Sequence, residues 1–127
     1  MLTEIYRRLT ALLASAGFTA WAADAVPPDA AFPYVTMEII PAASLHRLGR
    51  VTLTGWPAQG CGMARRLSMA DDLLALVPPA GLKLPLAGGL ALLTRCRHAD
   101  LQWVTSHGAL GVRIPFDLRM MGGDVHA

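Results

Sequence analysis

The stretch Leu110-Gly-Val-Arg-Ile-Pro-Phe-Asp-Leu-Arg-Met120 decides the fold class of this chain. Its apolar side chains occupy every second position, namely Leu110, Val112, Ile114, Phe116, Leu118 and Met120. The positions between residues 112 and 120 carry two arginines, a proline and an aspartate. Strict alternation of this length is typical of a strand with one packed face, and it predicts an antiparallel sheet. Because proline has no amide donor, Pro115 indicates an edge or a bulge in this strand.

The same alternation appears upstream in two shorter runs, at residues 33–40 and 50–56. Each run places apolar side chains on one face and polar side chains on the other, which predicts two half-buried strands. We expect them to form a hairpin with a polar tip at residues 44–49. Three further segments are expected in or beside the sheet: an edge or loop at 81–89 and strands at 90–97 and 100–104.

Two helices are predicted, at residues 2–16 and 63–77. Gly17 follows the first at the position of a left-handed C-terminal cap, and Pro78-Pro79 ends the second. Between the first helix and the first strand, residues 19–32 are turn-prone and predict a loop. Apolar residues of the second helix recur at spacings of four and three, at Met63, Leu67, Ala70, Leu74 and Val77. This spacing defines one amphipathic face, which we expect to pack on the sheet.

Length and composition fit one domain over residues 1–127, with a flexible tail at 122–127. The chain has 127 residues, of which 54% are hydrophobic and 16% are charged, enough apolar surface for one sizeable core. The order of elements predicts an α+β fold, with a mainly antiparallel sheet and two helices packed on one face. The core is expected to include Leu67, Leu74, Val112, Ile114 and Phe116.

The residue pattern argues against catalysis and cofactor binding. The four histidines are isolated, and none has the spacing of a zinc site. Cys61 lies between two glycines before the second helix, where amide donors lower the pKa of a thiol. A Cys-x5-Arg phosphatase loop is not completed, because Leu67 occupies the arginine position. We expect a protein that is not an enzyme and has no metal or cofactor, with a small thiol-dependent enzyme using Cys61 as the alternative.

Arginine supplies ten of the eleven cationic side chains, and the formal net charge is +2. Arginine pairs bidentately with carboxylates and phosphates and is enriched at interfaces. Arg65 and Arg66 occupy the first turn of the second helix, where the helix dipole disfavours cations. The candidate interface or DNA-lumen residues are Arg65, Arg66, Arg95, Arg97, Arg113, Arg119 and Trp56. The alternative is that these arginines form a solvated face with cross-strand pairs to aspartates.

Four parts of the chain resemble the tail terminators and related tail-completion proteins of long-tailed phages, the minor tail protein U type, including those encoded by prophages. These parts are Val51-Thr-Leu-Thr-Gly-Trp56, Ala64-Arg-Arg-Leu67, Val77-Pro-Pro-Ala-Gly-Leu82 running into Leu84-Pro-Leu-Ala-Gly-Gly89, and Phe116-Asp-Leu-Arg-Met-Met-Gly-Gly123. Size and element order also resemble that family over nearly the whole chain. The family has no catalytic motif to transfer, so the candidate contacts above rest on this sequence alone.

The resemblance implies a structural role in virion assembly. It implies a homo-oligomeric ring, typically of six subunits, that ends growth of the tail tube and joins the tail to the head-completion protein. Genomic DNA would pass through the ring without sequence preference, and an isolated subunit is expected to be a monomer. The implied location is the host cytoplasm during assembly and then the virion tail, with no membrane contact. A secreted binding module is the remaining alternative, if residues 1–23 are a signal peptide.

Overall fold

The computed structural model describes residues 2–40, 48–58, 62–96, 101–106 and 108–121. These residues form two helices and seven strands: α1 (Leu2–Ser15), β1 (Ala20–Ala22), β2 (Tyr34–Ile40), β3 (Leu48–Trp56), α2 (Met63–Ala75), β4 (Leu82–Leu86), β5 (Gly89–Arg95), β6 (Gln102–Ser106) and β7 (Ala109–Met121). All seven strands join one sheet in the order β1-β2-β3-β7-β5-β4, and β6 also pairs with β7. The predicted α+β class is confirmed, and the segment at 81–89 supplies the edge strand β4.

The sheet is mixed, which corrects the expectation of a mainly antiparallel sheet. β1 runs parallel to β2, whereas the other pairings are antiparallel. The Val35 amide donates to the Thr19 carbonyl at 2.8 Å, and the Ala23 amide donates to the Met37 carbonyl at 3.0 Å. A loop was predicted here because residues 19–32 are turn-prone and contain Pro27-Pro28. Pairing with β2, rather than the local sequence, therefore makes this segment a strand.

β7 is the central strand of the sheet. β3 pairs with one of its sides, and β5 and β6 share the other side. β5 ends with Arg95 opposite Phe116, and β6 begins with Gln102 opposite Arg113. The partner strand is therefore interrupted beside Pro115, whose nitrogen has no hydrogen to donate. The sequence predicted an edge or a bulge at Pro115. β7 is instead the central strand with a continuous β3 partner, and Pro115 lies beside the break between β5 and β6 on its other side.

One face of the sheet, the core face, carries the hydrophobic core. Val112, Ile114 and Phe116 of β7 are buried there, as predicted. They belong to one cluster with the buried side chains of the neighbouring strands and of both helices. The helix residues in this cluster are Ile5, Leu9 and Leu13 of α1 and Met69, Ala70 and Leu73 of α2.

α2 is rotated relative to the predicted orientation. Met69 and Leu73 are buried, whereas Leu67 is 45% exposed and Leu74 is half-buried, so the prediction of a buried Leu67 is wrong. A Cβ atom at Gly55 of β3 would lie 3.0 Å from both Leu73 Cδ1 and Met69 Sδ. The missing side chain of Gly55 thus creates the space that these two residues fill. Apolar residues occur on two adjacent faces of α2, and only the sheet beneath decides between them.

α1 ends as the sequence predicts. Gly17 has a positive φ of 91°, and the Phe18 amide donates to the Leu13 carbonyl at 2.8 Å. This left-handed cap satisfies a carbonyl that the helix leaves without an internal partner. At the other end of α1, the Glu4 carboxylate accepts a hydrogen bond from the Ala87 amide at 3.0 Å, which ties the helix to the β4–β5 turn.

Candidate functional site

The other face of the sheet, the outer face, is concave and forms a groove of about 1450 Å³. β2, β3 and β7 supply the floor, the loop at residues 23–32 forms one wall, and β6 forms the other. No described residue of α1 or α2 lines it. The outer face has the alternate positions that the sequence assigns to polar side chains, so the groove follows directly from the strand patterns.

Aromatic side chains lie across one end of the groove. Tyr34 is opposite Trp56 in the β2–β3 register, and their ring centroids are 6.5 Å apart. The ring of Phe32 continues the row, with its centroid 5.1 Å from that of Tyr34. Trp56 extends over Gly111 of β7, where a Cβ atom would lie 2.7 Å from Trp56 Cε3. We call Phe32, Tyr34 and Trp56 the aromatic row.

A polar row lies next to the aromatic row, two residues away on each strand and therefore at the next position on the outer face. It consists of Thr36, Thr54, Arg113 and Gln102, which the register places side by side. Trp56 Nε1 donates to Thr36 Oγ1 at 3.1 Å, and Arg113 Nη1 donates to Gln102 Oε1 at 3.5 Å. Both threonines are buried. Arg113 therefore presents a planar guanidinium beside the aromatic row, which is suited to a carboxylate or phosphate.

A thiol and a carboxylate meet near the far end of the groove. Cys96 Sγ donates to Asp117 Oδ1 at 3.3 Å. Burial raises the pKa of the Cys96 thiol to about 11; the hydrogen bond to Asp117 and the negative charge of that carboxylate also raise it, and Arg50 lowers it. A thiol with this pKa is protonated near neutral pH and is a poor nucleophile. Cys61, the sequence-predicted alternative nucleophile, lies outside the described residues.

The predicted arginines do not form one band. Arg113 and Arg119 lie on the outer face, as Trp56 does. Arg95 lies opposite Phe116 and points to the end of α2, where its Nε donates to the Val77 carbonyl and its Nη2 to the Leu74 carbonyl, both at 2.8 Å. A cation there satisfies the last carbonyls of a helix and opposes the negative end of its dipole. The structure thus gives Arg95 a partner within its own fold.

Arg65 and Arg66 lie at the beginning of α2, away from the groove. The guanidinium carbon of Arg66 is 4.9 Å from the ring centroid of Trp103, a cation–π contact. Arg65 is exposed. The Trp103 contact offsets the unfavourable dipole for Arg66, for which the sequence suggested an external partner. Arg97 lies outside the described residues.

Sequence reasoning missed most of the groove. Tyr34, Thr36 and Thr54 were assigned to the outer faces of their strands, but nothing in the sequence aligned them with Arg113. That alignment depends on strand register, which pairs residues far apart in the chain. The sequence predicted a loop at 19–32 and a strand at 100–104, but it did not indicate that this loop and Gln102 line a groove, because that role depends on the curvature of the sheet.

Comparison with known proteins gives no match to a family model and no match to a curated protein. The helices in the described part of the chain are too short or too polar to cross a membrane. Across residues 2–40, 48–58, 62–96, 101–106 and 108–121, no three His, Cys, Asp or Glu side chains are grouped to hold a metal ion.

Proposed function

We propose that this chain is a structural subunit of a long-tailed phage or prophage, a tail-terminator-type protein that assembles into a ring. The ring ends growth of the tail tube and joins the tail to the head. The outer-face groove is the observation that carries the proposal, because it is a concave sheet surface that none of the described helix residues lines. Ring subunits need surfaces of this kind for their neighbours. The resemblance of sequence stretches to the tail-terminator family supports the same role.

We infer that both helices cover the core face of the sheet. Buried side chains of α1 and of α2 belong to the same cluster as the apolar strand positions, which supports this arrangement. The close approach of Met69 and Leu73 to Gly55 supports it for α2. With both helices on one face, the outer face remains for partners such as a neighbouring subunit, the tail tube protein or the head-completion protein.

A non-enzymatic role is part of the proposal. Its support is the chemistry of Cys96, whose raised pKa keeps the thiol protonated, and the composition of the described groove lining, in which aromatic rings and threonines outnumber carboxylates. Side chains of this kind hold a surface rather than transfer protons. The proposed location is accordingly the host cytoplasm during assembly and the virion tail afterwards, with DNA passing through without sequence preference.

The packing of residues 2–23 favours this role over a secreted binding module. This segment supplies α1 and β1, and Ile5, Leu9 and Leu13 are almost completely buried in the core. Removal of three such side chains would cost several kcal/mol, since deletion of one buried leucine or isoleucine side chain costs about 2–5 kcal/mol. The segment therefore serves the fold rather than only a targeting step.

Polymerisation of a tail tube protein of a long-tailed phage tests the proposal. Tubes are assembled with and without this protein, and their lengths and ends are measured by negative-stain electron microscopy. We expect shorter tubes with a ring of density at one end when the protein is present. Identical length distributions and bare ends in both samples would reject the proposed function.

A further inference from the structure

We propose that the outer-face groove receives the exposed side of helix α2 from a second copy of this chain. The inference rests on the proposed function in one respect, because it takes the occupant of the groove to be the next subunit of a ring. Beyond the proposed function, the inference names the two surfaces that meet between subunits and the residues that pair across the contact.

The exposed side of α2 carries an apolar and an acidic half. Met63 is 52% exposed and Leu67 is 45% exposed, and they lie one helical turn apart. One turn further along the same line of the helix, Asp71 is also exposed. Two large apolar side chains therefore lie next to each other on the solvent side of the helix.

The groove has the complementary order of side chains. The aromatic row offers an apolar surface, and the polar row with Arg113 follows it along the strands. Neighbouring positions on one face of a strand are about 6.6 Å apart, and positions four residues apart on a helix are separated by about 6 Å. If Leu67 of one copy rests on the aromatic row of the next, Asp71 therefore lies at Arg113. An aspartate and an arginine in this arrangement form a charge-assisted hydrogen bond.

The width of the groove also fits one helix. Its floor consists of three adjacent strands, β2, β3 and β7. Two strand spacings of about 4.8 Å give a floor about 10 Å wide, and an α-helix with its side chains has a diameter of about 10–12 Å. A helix in this position would cover the outer face of the sheet, as helices cover both faces in three-layer folds.

The charge of the groove favours a protein segment over nucleic acid. Among the residues that the structure describes, its charged lining consists of Asp24, Glu38, Arg50 and Arg113, two carboxylates and two guanidiniums. A surface that binds DNA or RNA is dominated by lysine and arginine, because it must neutralise phosphates. A groove with equal numbers of positive and negative side chains and an aromatic row fits a protein segment that exposes both apolar and charged side chains, as α2 does.

The two surfaces lie on opposite sides of the same strands. α2 packs over Gly55 on the core face, and the groove opens on the outer face. A contact between α2 of one copy and the groove of another is therefore head-to-tail. Contacts of this type close into rings or continue as open filaments, whereas a two-fold dimer uses the same patch twice. The inference thus gives a physical basis for ring formation at high local concentration of the chain, while a dilute isolated subunit stays a monomer.

Disulfide cross-linking between mixed variants tests the contact. In a chain carrying Cys61→Ser and Cys96→Ser, one variant has Asp71→Cys and the other has Gln102→Cys, so that each contributes one thiol. Circular dichroism first checks that each variant is folded. After mild oxidation of the mixture at high protein concentration, we expect a cross-linked heterodimer.

Control mixtures replace one partner with Ser15→Cys on α1 or Lys83→Cys on β4, both exposed, and we expect at least about tenfold less product. Equal yields in test and control mixtures, or no product in the test mixture, would overturn the inference.

A charge exchange gives a second, independent readout. Arg113→Asp alone and Asp71→Arg alone are expected to weaken self-association in sedimentation experiments, and the two together in one chain are expected to restore it. A double variant no better than the single variants would overturn the pairing. Arg113-dependent binding of a labelled single-stranded oligonucleotide without cross-linking would also overturn it and would assign the groove to nucleic acid. The tube-length assay uses the wild-type protein and does not depend on the residues that form this contact. Failure of the contact can therefore be distinguished from failure of the proposed function.

Discussion

Trp56 can lie over β7 in the groove because Gly111 has no side chain. A Cβ atom at residue 111 would lie 2.7 Å from Trp56 Cε3 and 2.9 Å from the Gly55 carbonyl oxygen, and the latter is backbone that cannot move aside. We expect Gly111→Ala to lower the free energy of unfolding by about 1–3 kcal/mol, the usual cost of overpacking. Urea unfolding followed by tryptophan fluorescence measures the change.

The matched control for this substitution is Gly88→Ala, because no atom lies within 4 Å of a Cβ at Gly88. We expect it to change stability by less than about 1 kcal/mol. Equal effects of the two substitutions would show that Trp56 does not lie over β7 as described.

Cys96 provides a prediction about pH. The raised pKa of its thiol means that the folded protein holds this proton more tightly than the unfolded chain does. This contribution to stability is complete below the ordinary thiol value of about 8.5, and it is lost as the pH rises from there towards about 11. We expect alkylation of Cys96 by iodoacetamide, resolved from Cys61 by peptide mass spectrometry, to accelerate only as the pH approaches 11.

Asp117→Asn is the control for the Cys96 prediction. It removes a negative charge that raises the pKa of the thiol and keeps a side chain that accepts a hydrogen bond, so the alkylation profile should move to lower pH. A wild-type profile centred on the ordinary thiol value would contradict the described environment of Cys96.

At the scale of elements, α2 shows which features of a helix its sequence pattern predicts. The spacing of apolar residues predicted the helix and its approximate ends. It did not select the buried face, because apolar residues occupy two neighbouring faces and Gly55 on the sheet decides between them. A helix pattern contains no information about the surface on which the helix packs.

Two leucine substitutions in α2 test its orientation. Leu73 is fully buried and Leu67 is 45% exposed, and both lie within the same helix. We expect Leu73→Ala to cost about 2–5 kcal/mol of stability and Leu67→Ala less than about 1 kcal/mol. Thermal unfolding of both variants measures the difference. A larger loss for Leu67→Ala would restore the orientation predicted from the sequence.

For the strands too, the sequence predicted the local pattern of each strand but not how the strands pair. Alternation predicted β2, β3 and β7 and the faces of their side chains, because the period of a strand is a local property. β1 was missed, since three residues with little strand propensity gain their structure from β2. An edge or a bulge was expected at Pro115, whereas the structure has a central strand with β5 and β6 on the same side and a break between them beside Pro115.

At the scale of the whole molecule, the candidate site was predicted only in its residue types. An arginine face on β7 was expected, and Arg113 and Arg119 do share the outer face with Trp56. The separation of Arg95 and Arg66 from that face was not predictable, because it depends on contacts with the end of α2 and with Trp103. The groove itself arises from the curvature of the sheet and the position of the loop at 23–32.

The central claim is that the core face holds the fold together and the outer face serves assembly. Arg113 and Arg119 are exposed and lie on the outer face, so their replacement should cost little stability, since exposed charges contribute about 0–1 kcal/mol. The most direct measurement is the length of tail tubes assembled with the double variant Arg113→Ala and Arg119→Ala, after its melting temperature has been compared with that of the wild type. We predict an almost unchanged melting temperature and over-long tubes. Tubes of wild-type length, with normal joining to heads, would contradict the account and leave both arginines as solvated charges.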